Sequence, residues 1–322
     1  MNGHHVIDDF NDLLKAQVKD RAYADAVRSA ATDLKQAQHF YLGAYQDLIQ
    51  PLKSFAEEQR ETQILLGNSS KYVRLPYKTC WFEFEDKSFT PGTTLPVPKR
   101  GLLVHELDKD FFRVVTANWI EQYRKWMLTP QCYLVLLGKT FKEDFGRTGK
   151  KISDAAAQRG ASAKLIEALL ESNTYPIQTS DNQSWDVSMG LRADDQRDLY
   201  VLNAALLLLN CKNVGTEDNH PPPKLNKKRS KNGKQELFTY KTLILKLPAT
   251  HQGPHTVGDD SGGTAKIHLC RGHFKIFTED APMFGKYTGL YWWDAHLRGD
   301  KSKGMLVKDY AIKTATDTLQ QP

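Results

Sequence analysis

From Asp8 to about Arg60 the apolar positions recur at helical spacing. Phe10, Leu13, Leu14 and Val18 fall on one stripe, and Phe40, Tyr41, Ala44, Tyr45 and Leu48 on another. Pro51 can open a new first turn or close the preceding one, so two or three helices are predicted, forming a helical cap on the core. From Lys71 the pattern shortens to that of strands. Val73 to Leu75, Thr79 to Glu85, Leu102 to Glu106, Phe111 to Val115 and Tyr133 to Leu137 are predicted strands. Asp108-Lys109-Asp110 is read as a hairpin turn, and Pro96 to Gly101 as a further turn region.

Helical spacing returns at Ser153, is interrupted near Gly160 and resumes from Ala163 to Glu171. Arg197 to Cys211 is apolar on nearly every side, which predicts a helix buried within the core. His105 and Cys211 have no visible partners and are read as structural. Between Asn213 and Phe238 the composition turns polar: Pro221-Pro222-Pro223 precedes Lys224, Lys227, Lys228, Arg229, Lys231 and Lys234. This predicts a linker or long exposed loop. Leu237 to Leu247 then reads as a strand, followed by a glycine-rich loop from His251 to Gly263.

The expected architecture is α+β, with an N-terminal helical cap, a mixed or antiparallel sheet with packed helices, and a C-terminal β-rich module. The expected boundaries are 1–62 for the helical region, 63–212 for the α+β core, 213–236 for the basic linker or loop, and 237–322 for the C-terminal module.

Composition narrows the class of partner. The 322 residues are 40% hydrophobic, enough to fold without disulfides or metals. Cys80, Cys132, Cys211 and Cys270 have no paired spacing, so neither a zinc site nor a disulfide framework is expected. The first ten residues lack the pattern of a signal peptide, and no apolar run is long enough for a bilayer. Cytoplasmic residence, in a bacterial host cell, is the resulting expectation. A net charge of +6 favours an acidic partner, RNA or a translating ribosome. No small-molecule cofactor and no membrane partner are expected.

The C-terminal third concentrates chemistry-bearing residues. Lys266 to Phe277 alternates as a strand, placing His268 and Cys270 on one face and Arg271 and His273 on the other. Gly272 marks a bulge or close backbone approach, and a bulge there would bring His268 nearer His273. Tyr291, Trp292 and Trp293 are read as a strand packed against the one carrying His273, with His296 and Arg298 emerging at its end.

The pattern His268-x-x-Arg271-Gly272-His273-aromatic, followed by an aromatic strand, resembles the C-terminal signature of a family spread among phages and other mobile elements. Its best-known branch is an anti-CRISPR protein acting against a type V CRISPR nuclease. Weaker echoes lie at Leu75-Pro76, at Cys80 and Trp81, and near Leu102. That branch recognises its target as a nascent chain and triggers destruction of the encoding mRNA. The resemblance therefore implies an RNA-directed or translation-coupled activity and a nascent or folded protein target. Phe274 stands where the family has Trp, and Lys275 where it has a further His. A catalytic role depending on that His is not carried over.

The residue types also suit metal-independent RNA cleavage. One group must take the 2′-hydroxyl proton and another must protonate the leaving oxygen, and imidazoles titrate near neutrality. His268, His273 and His296 are the acid–base candidates. Arg271, Arg298 or Lys286 would stabilise charge on the phosphorane. Catalysis and phosphate binding remain open alternatives for this set, as does a structural role. For RNA contact the candidates are Lys227, Lys228, Arg229 and Lys231, with Lys286, Trp292 and Arg298. The stretch Phe141 to Lys151 is read as a charged surface loop able to contact protein. Three functions follow: a mobile-element protein suppressing host or defence genes through mRNA decay, an adaptor recruiting host ribonucleases, or a stand-alone metal-independent ribonuclease toxin.

Overall fold

A sheet of eight strands organises most of the chain. The computed structural model describes residues 5–16, 18–44, 73–85, 98–178, 193–245, 266–270, 273–293, 296–298 and 300–305. At 178, 193–197, 245, 266–270, 296–298 and 300–305 that description covers the backbone alone.

The N-terminal helices are α1 (Val6–Lys15) and α2 (Arg21–Gln36), and β1 (Gln38–Ala44) follows them directly. The alternating strands expected from Thr79 onwards form an antiparallel meander. It comprises β2 (Thr79–Glu85), β3 (Lys99–Asp108), β4 (Phe111–Ile120), β5 (Lys125–Leu136) and β6 (Thr174–Gln178). Between β5 and β6 lie α3 (Lys150–Gln158) and α4 (Ala163–Leu170). The apolar helix is α5 (Ala193–Leu209), followed by β7 (Val214–Asn219), α6 (Pro223–Lys231) and β8 (Tyr240–Leu245). The sheet order is β6-β5-β4-β3-β2-β1-β8-β7, with β1 parallel to both neighbours. The α+β class with packed helices and C-terminal strands is thus the architecture of the protein.

Several stretches differ from the sequence reading. Val73 to Leu75 form no strand, and Lys99 to Gly101, read as part of a turn region, are the first residues of β3 because they pair with Glu83 to Glu85 of β2 and Ala117 to Trp119 of β4. Phe40, Tyr41 and Ala44 belong to β1, not to a helix. Residues 38–44 are aromatic-rich and lie between two parallel partners. Such interior strands lose the clean alternation that marks a one-sided strand, so their apolar positions also fit a helical stripe. The residues 45–62 read as helical lie outside the described residues. Within the stretch read as a linker, residues 214–219 form β7 and Pro223–Lys231 form α6. Proline at the start of α6 has no missing donor to supply, because the first amides of a helix are unpaired in any case.

One face of the sheet is covered by α1 and α2. Val6, Ile7 and Phe10 of α1 join Val27, Ala30, Ala31 and Leu34 of α2 against Trp81, Leu103, Trp119, Trp126 and Leu128. The Asp20 carboxylate caps α2, accepting from the Tyr23 amide at 2.9 Å. Buried Asp9 accepts the Trp126 amide at 2.9 Å, fixing α1 to the start of β5. The rings of Trp81, Trp126 and Trp119 meet edge to face, at 5.8 and 6.1 Å between centroids. The Trp81 ring lies directly over Gly101, where an added Cβ would fall 1.9 Å from a ring carbon.

Arg100 of β3 and Asp198 of α5 form a buried ion pair at 3.2 Å. A second apolar cluster joins Phe111, Leu136 and Phe141 to Ile152, Ala156 and Leu169. Within Phe141 to Lys151, read as a charged surface loop, Phe141, Thr148 and Gly149 are buried, while Lys142, Glu143, Phe145, Gly146, Lys150 and Lys151 are exposed; 145–149 is a π-helical turn leading into α3. Asp144 holds that turn by accepting from Thr148 Oγ1 at 2.7 Å and Arg147 Nε at 3.0 Å.

The remaining strands form two small sheets. β10 (His273–Phe277) pairs with β11 (Gly289–Trp293), while β9 (Lys266–Cys270) lies between β12 (His296–Arg298) and β13 (Asp300–Met305). The chain divides into two compact units. One comprises Met1–Leu247 with Lys275–Trp292, the other Pro248–Phe274 with Trp293–Pro322. Among the described residues no helix is long and apolar enough to cross a membrane.

Candidate nucleic-acid interface

Lys224, Lys227, Lys228 and Lys231 are spaced i, i+3, i+4 and i+7 along α6, so they form one stripe on the helix. All four are exposed. Like charges four residues apart oppose helix formation by about 0.2–0.5 kcal/mol per pair. Lys228 and Lys231 recover part of that by lying in the last turn, where the helix dipole favours cations.

The opposite side of α6 is fastened to the main unit. Asn226 clasps the backbone of Leu237 twice: its Oδ1 accepts the amide at 2.8 Å and its Nδ2 donates to the carbonyl at 3.1 Å. Arg229 donates through Nε to the Gln235 carbonyl at 2.7 Å and pairs through Nη2 with Asp8 of α1. Arg229 is therefore buried, and the arginine read as an RNA contact holds the helix in place instead. Of the four proposed contacts on α6, Lys227, Lys228 and Lys231 face solvent.

Beneath this attachment the Phe238 ring is flanked by two imidazoles. Its centroid lies 4.7 Å from that of His5 and 4.1 Å from that of His39, the latter stacked. His39 Nε2 donates to the Leu34 carbonyl at 3.0 Å. Burial pushes both imidazoles down to about 4, so both are neutral at pH 7. For His5 the nearby Asp8 partly opposes that shift, while Arg229 and His39 reinforce it. The two imidazoles under α6 thus add no charge at pH 7, and the four lysines keep theirs on the outer stripe.

Between α6 and the segment leading into β8 runs a groove of about 760 Å³, lined in part by His220, Lys227, Ser230, Lys231 and Thr239. His220 Nδ1 and Thr239 Oγ1 share a hydrogen bond at 3.1 Å. Glu236 is the acidic residue on its wall. Two ammonium groups beside hydroxyl donors suit a phosphate-bearing ligand. Arg229→Ala should cost about 2 kcal/mol in urea denaturation, because it strands Asp8; the usual penalty for breaking a buried pair is discounted here for Asp8's partial exposure. Lys227→Gln with Lys231→Gln should leave stability within about 0.5 kcal/mol.

The C-terminal candidates are distributed over both small sheets. His273 is exposed at the start of β10, and its predicted neighbour strand, with Trp292, is indeed β11. Asn213 clasps the Trp292 backbone, accepting its amide at 2.9 Å and donating to its carbonyl at 2.6 Å, and the Trp292 side chain is half-buried. Lys286 is exposed, with its ammonium 5.4 Å from the Tyr287 ring centroid. Arg271 lies outside the described residues, as does Gly272. The expected single strand is two strands, β9 and β10, in different sheets, so strand geometry does not unite His268 with His273. The backbone register pairs His268 with Arg298 and Cys270 with His296 across β9 and β12. By antiparallel pairing and the two-residue repeat, these four positions share one face.

His105, read as structural, shares a hydrogen bond with Thr79 Oγ1 at 2.8 Å. Burial pushes the thiols of Cys80 and Cys211 up to about 12 and that of Cys132 to about 11, leaving three unreactive cysteines. Among the described residues no group of three or more His, Cys, Asp or Glu could hold a metal ion.

Sequence reading missed His220, Asn226 and Thr239, whose proximity depends on α6 folding back towards β8. It gave no role to Phe284, which stands before a glycine in a turn where Asn or Asp is usual.

No family model matches the chain, and no curated protein or solved structure proves similar to it.

Proposed function

We propose that this protein binds RNA through the α6 stripe and its groove, and that it suppresses gene expression by promoting mRNA decay in a bacterial cell. The observation carrying the first part is the fixed arrangement of α6. Its inner side is held by Asn226 and Arg229, so its four exposed lysines form a rigid cationic surface. A rigid surface loses less freedom on binding than a tethered loop with the same charges. The mRNA target and a co-translational encounter with a protein target rest on the resemblance of the His268-to-Phe274 signature to the mobile-element family.

Fluorescence anisotropy with a labelled single-stranded RNA across a salt series tests the reading. Affinity should fall linearly with salt on logarithmic axes. Lys227→Gln with Lys231→Gln should lower that slope by about 1.4, or 0.7 per lost phosphate contact. Equal affinity and slope for this variant and the parent protein would refute the assignment to α6.

A ribonuclease form of the reading is supported by the register of β9 and β12, which places His268, His296 and Arg298 at neighbouring positions on one face. This set supplies an acid, a base and a cation without a metal. Cleavage of labelled RNA by the purified protein in EDTA, abolished by His268→Ala, is the expected result of that form. Intact RNA in the same assay would assign mRNA loss in cells to recruited ribonucleases.

A further inference from the structure

The turn between β10 and β11 breaks a local rule. Met283 and Tyr287 pair as an isolated bridge, with the Met283 amide donating to the Tyr287 carbonyl at 2.8 Å and the Tyr287 amide returning to the Met283 carbonyl at 3.0 Å. Phe284 and Gly285 close it at φ +53° and +70°. Two consecutive residues of positive φ are the mark of a mirror-image turn, whose first position normally holds Asn, Asp or Gly. A Cβ-bearing aromatic is a poor choice there on backbone grounds. Its ring also gains nothing from burial, since Phe284 is 89% exposed.

What surrounds the ring indicates its use. Gly285 is a spacer, Lys286 is exposed, and Tyr287 is 46% exposed with the Lys286 ammonium over its face. Four consecutive residues thus present a ring, a gap, a cation and a second ring. Beyond the turn lie exposed Glu279 and Asp280 on one side and exposed Lys275 on the same hairpin. Pro282 and Met283, the apolar neighbours, are half-buried. A protein partner needs roughly 800 Å² from each side, whereas one phenylalanine offers on the order of 200 Å². A nucleobase is the size of the ring itself.

We propose that the Phe284 turn is a stacking platform for an unpaired base of single-stranded nucleic acid, with Lys286 meeting the adjoining phosphate. The site rests on the RNA-binding reading and deepens it: α6 supplies charge that ignores sequence, while Phe284 engages bases and so selects single strands over duplex. Stacking tolerates any base, so little sequence preference is expected.

The test is anisotropy with two labelled oligomers of about 12 nucleotides, oligoadenylate and an abasic strand of equal length and charge. The parent protein should bind oligoadenylate roughly tenfold more tightly than the abasic strand. Phe284→Ala should reduce oligoadenylate binding to the abasic level, and Phe284→Trp should retain it. Phe284→Gly relaxes the turn, so its loss of binding would not come from misfolding. Equal binding of both oligomers by the parent protein, or unchanged oligoadenylate binding by Phe284→Ala, would overturn the platform. In either case, abasic binding that still falls with Lys227→Gln and Lys231→Gln would leave the α6 reading standing. No binding of either oligomer by the parent protein would remove both. Loss of cellular activity in Phe284→Ala with unchanged oligonucleotide binding would assign the ring to a protein partner and overturn the base-stacking site.

Discussion

Between pH 7 and pH 5 the protein should lose about 4 kcal/mol of folding stability, about 2 from each of two histidines. His5 and His39 are both buried against Phe238 and depressed from 6.5 to about 4. The unfolded chain therefore binds protons that the folded chain refuses. Stability is fully present above pH 6.5, falls through the window from 6.5 to 4, and has no more to lose from these groups below 4. Most paired carboxylates protonate lower, so the two contributions separate along the pH axis. Urea denaturation at pH 7, 6 and 5 measures the loss. His39→Phe keeps a ring beside Phe238 and should halve the pH dependence, at a cost at pH 7 for the unmet Leu34 carbonyl. A flat profile from pH 7 to 5 would contradict neutral burial of the pair. Phe238 adjoins Leu237, the residue that Asn226 grips, so oligonucleotide binding should weaken over the same window beyond what ionic strength explains.

Gly101→Val should be as damaging, at about 4 kcal/mol. A Cβ at position 101 would fall 1.9 and 2.1 Å from two carbons of the Trp81 ring, and valine adds two methyl groups beyond it. Ordinary overpacking costs about 1–3 kcal/mol, relieved by small shifts. Here the ring must leave its place, which forfeits contacts worth on the order of 3–5 kcal/mol. Its edge contact with Trp126, and through that ring the packing of α1 and α2, would go with it. Thermal melting of Gly101→Val should show the loss, and Trp81→Leu in the same chain should recover part of it. If the double variant is as unstable as the sum of the singles, the clash is not the cause.

Much of the fold is legible where one element carries its own signal. The hairpin from Leu102 to Val115 announces itself by two apolar runs around Asp108-Lys109-Asp110, and the turn there does place Asp110 at positive φ. The run from Leu199 to Leu209 is apolar all round because its helix is buried. What escaped detection depends on partners far along the chain. β1 is a strand because β2 and β8 flank it, and nothing within residues 38–44 states this. The lysine-rich stretch has little apolar surface of its own, and α6 is held by Asn226 and Arg229 gripping backbone several residues later. The lysines were readable as a cationic patch, but Arg229 was not separable from them. In sequence it is another basic residue, and only Asp8, in the first helix, gives it a different role. The histidine motif shows the converse. Alternation correctly places His268 and Cys270 on one face, yet their cross-strand neighbours Arg298 and His296 come from a strand whose register no local pattern encodes.

The position of β1 in the sheet also bears on the order of assembly. β8 pairs in parallel with a strand two hundred residues upstream, and among the described residues β7 has β8 as its sole neighbour in the sheet. Contacts so distant in sequence form slowly, because a long chain must close before they offer any return. The meander from β2 to β6 is built from neighbours and can condense while later residues are still being synthesised. Phe238, by contrast, cannot wedge between His5 and His39 until the chain has left the ribosome to beyond β8. The lysine stripe should therefore acquire its fixed geometry late, and a nascent chain halted before residue 240 would carry the charges of α6 without its foundation. Limited proteolysis of stalled nascent chains, cutting near Lys231 before but not after β8 has emerged, would show that delay.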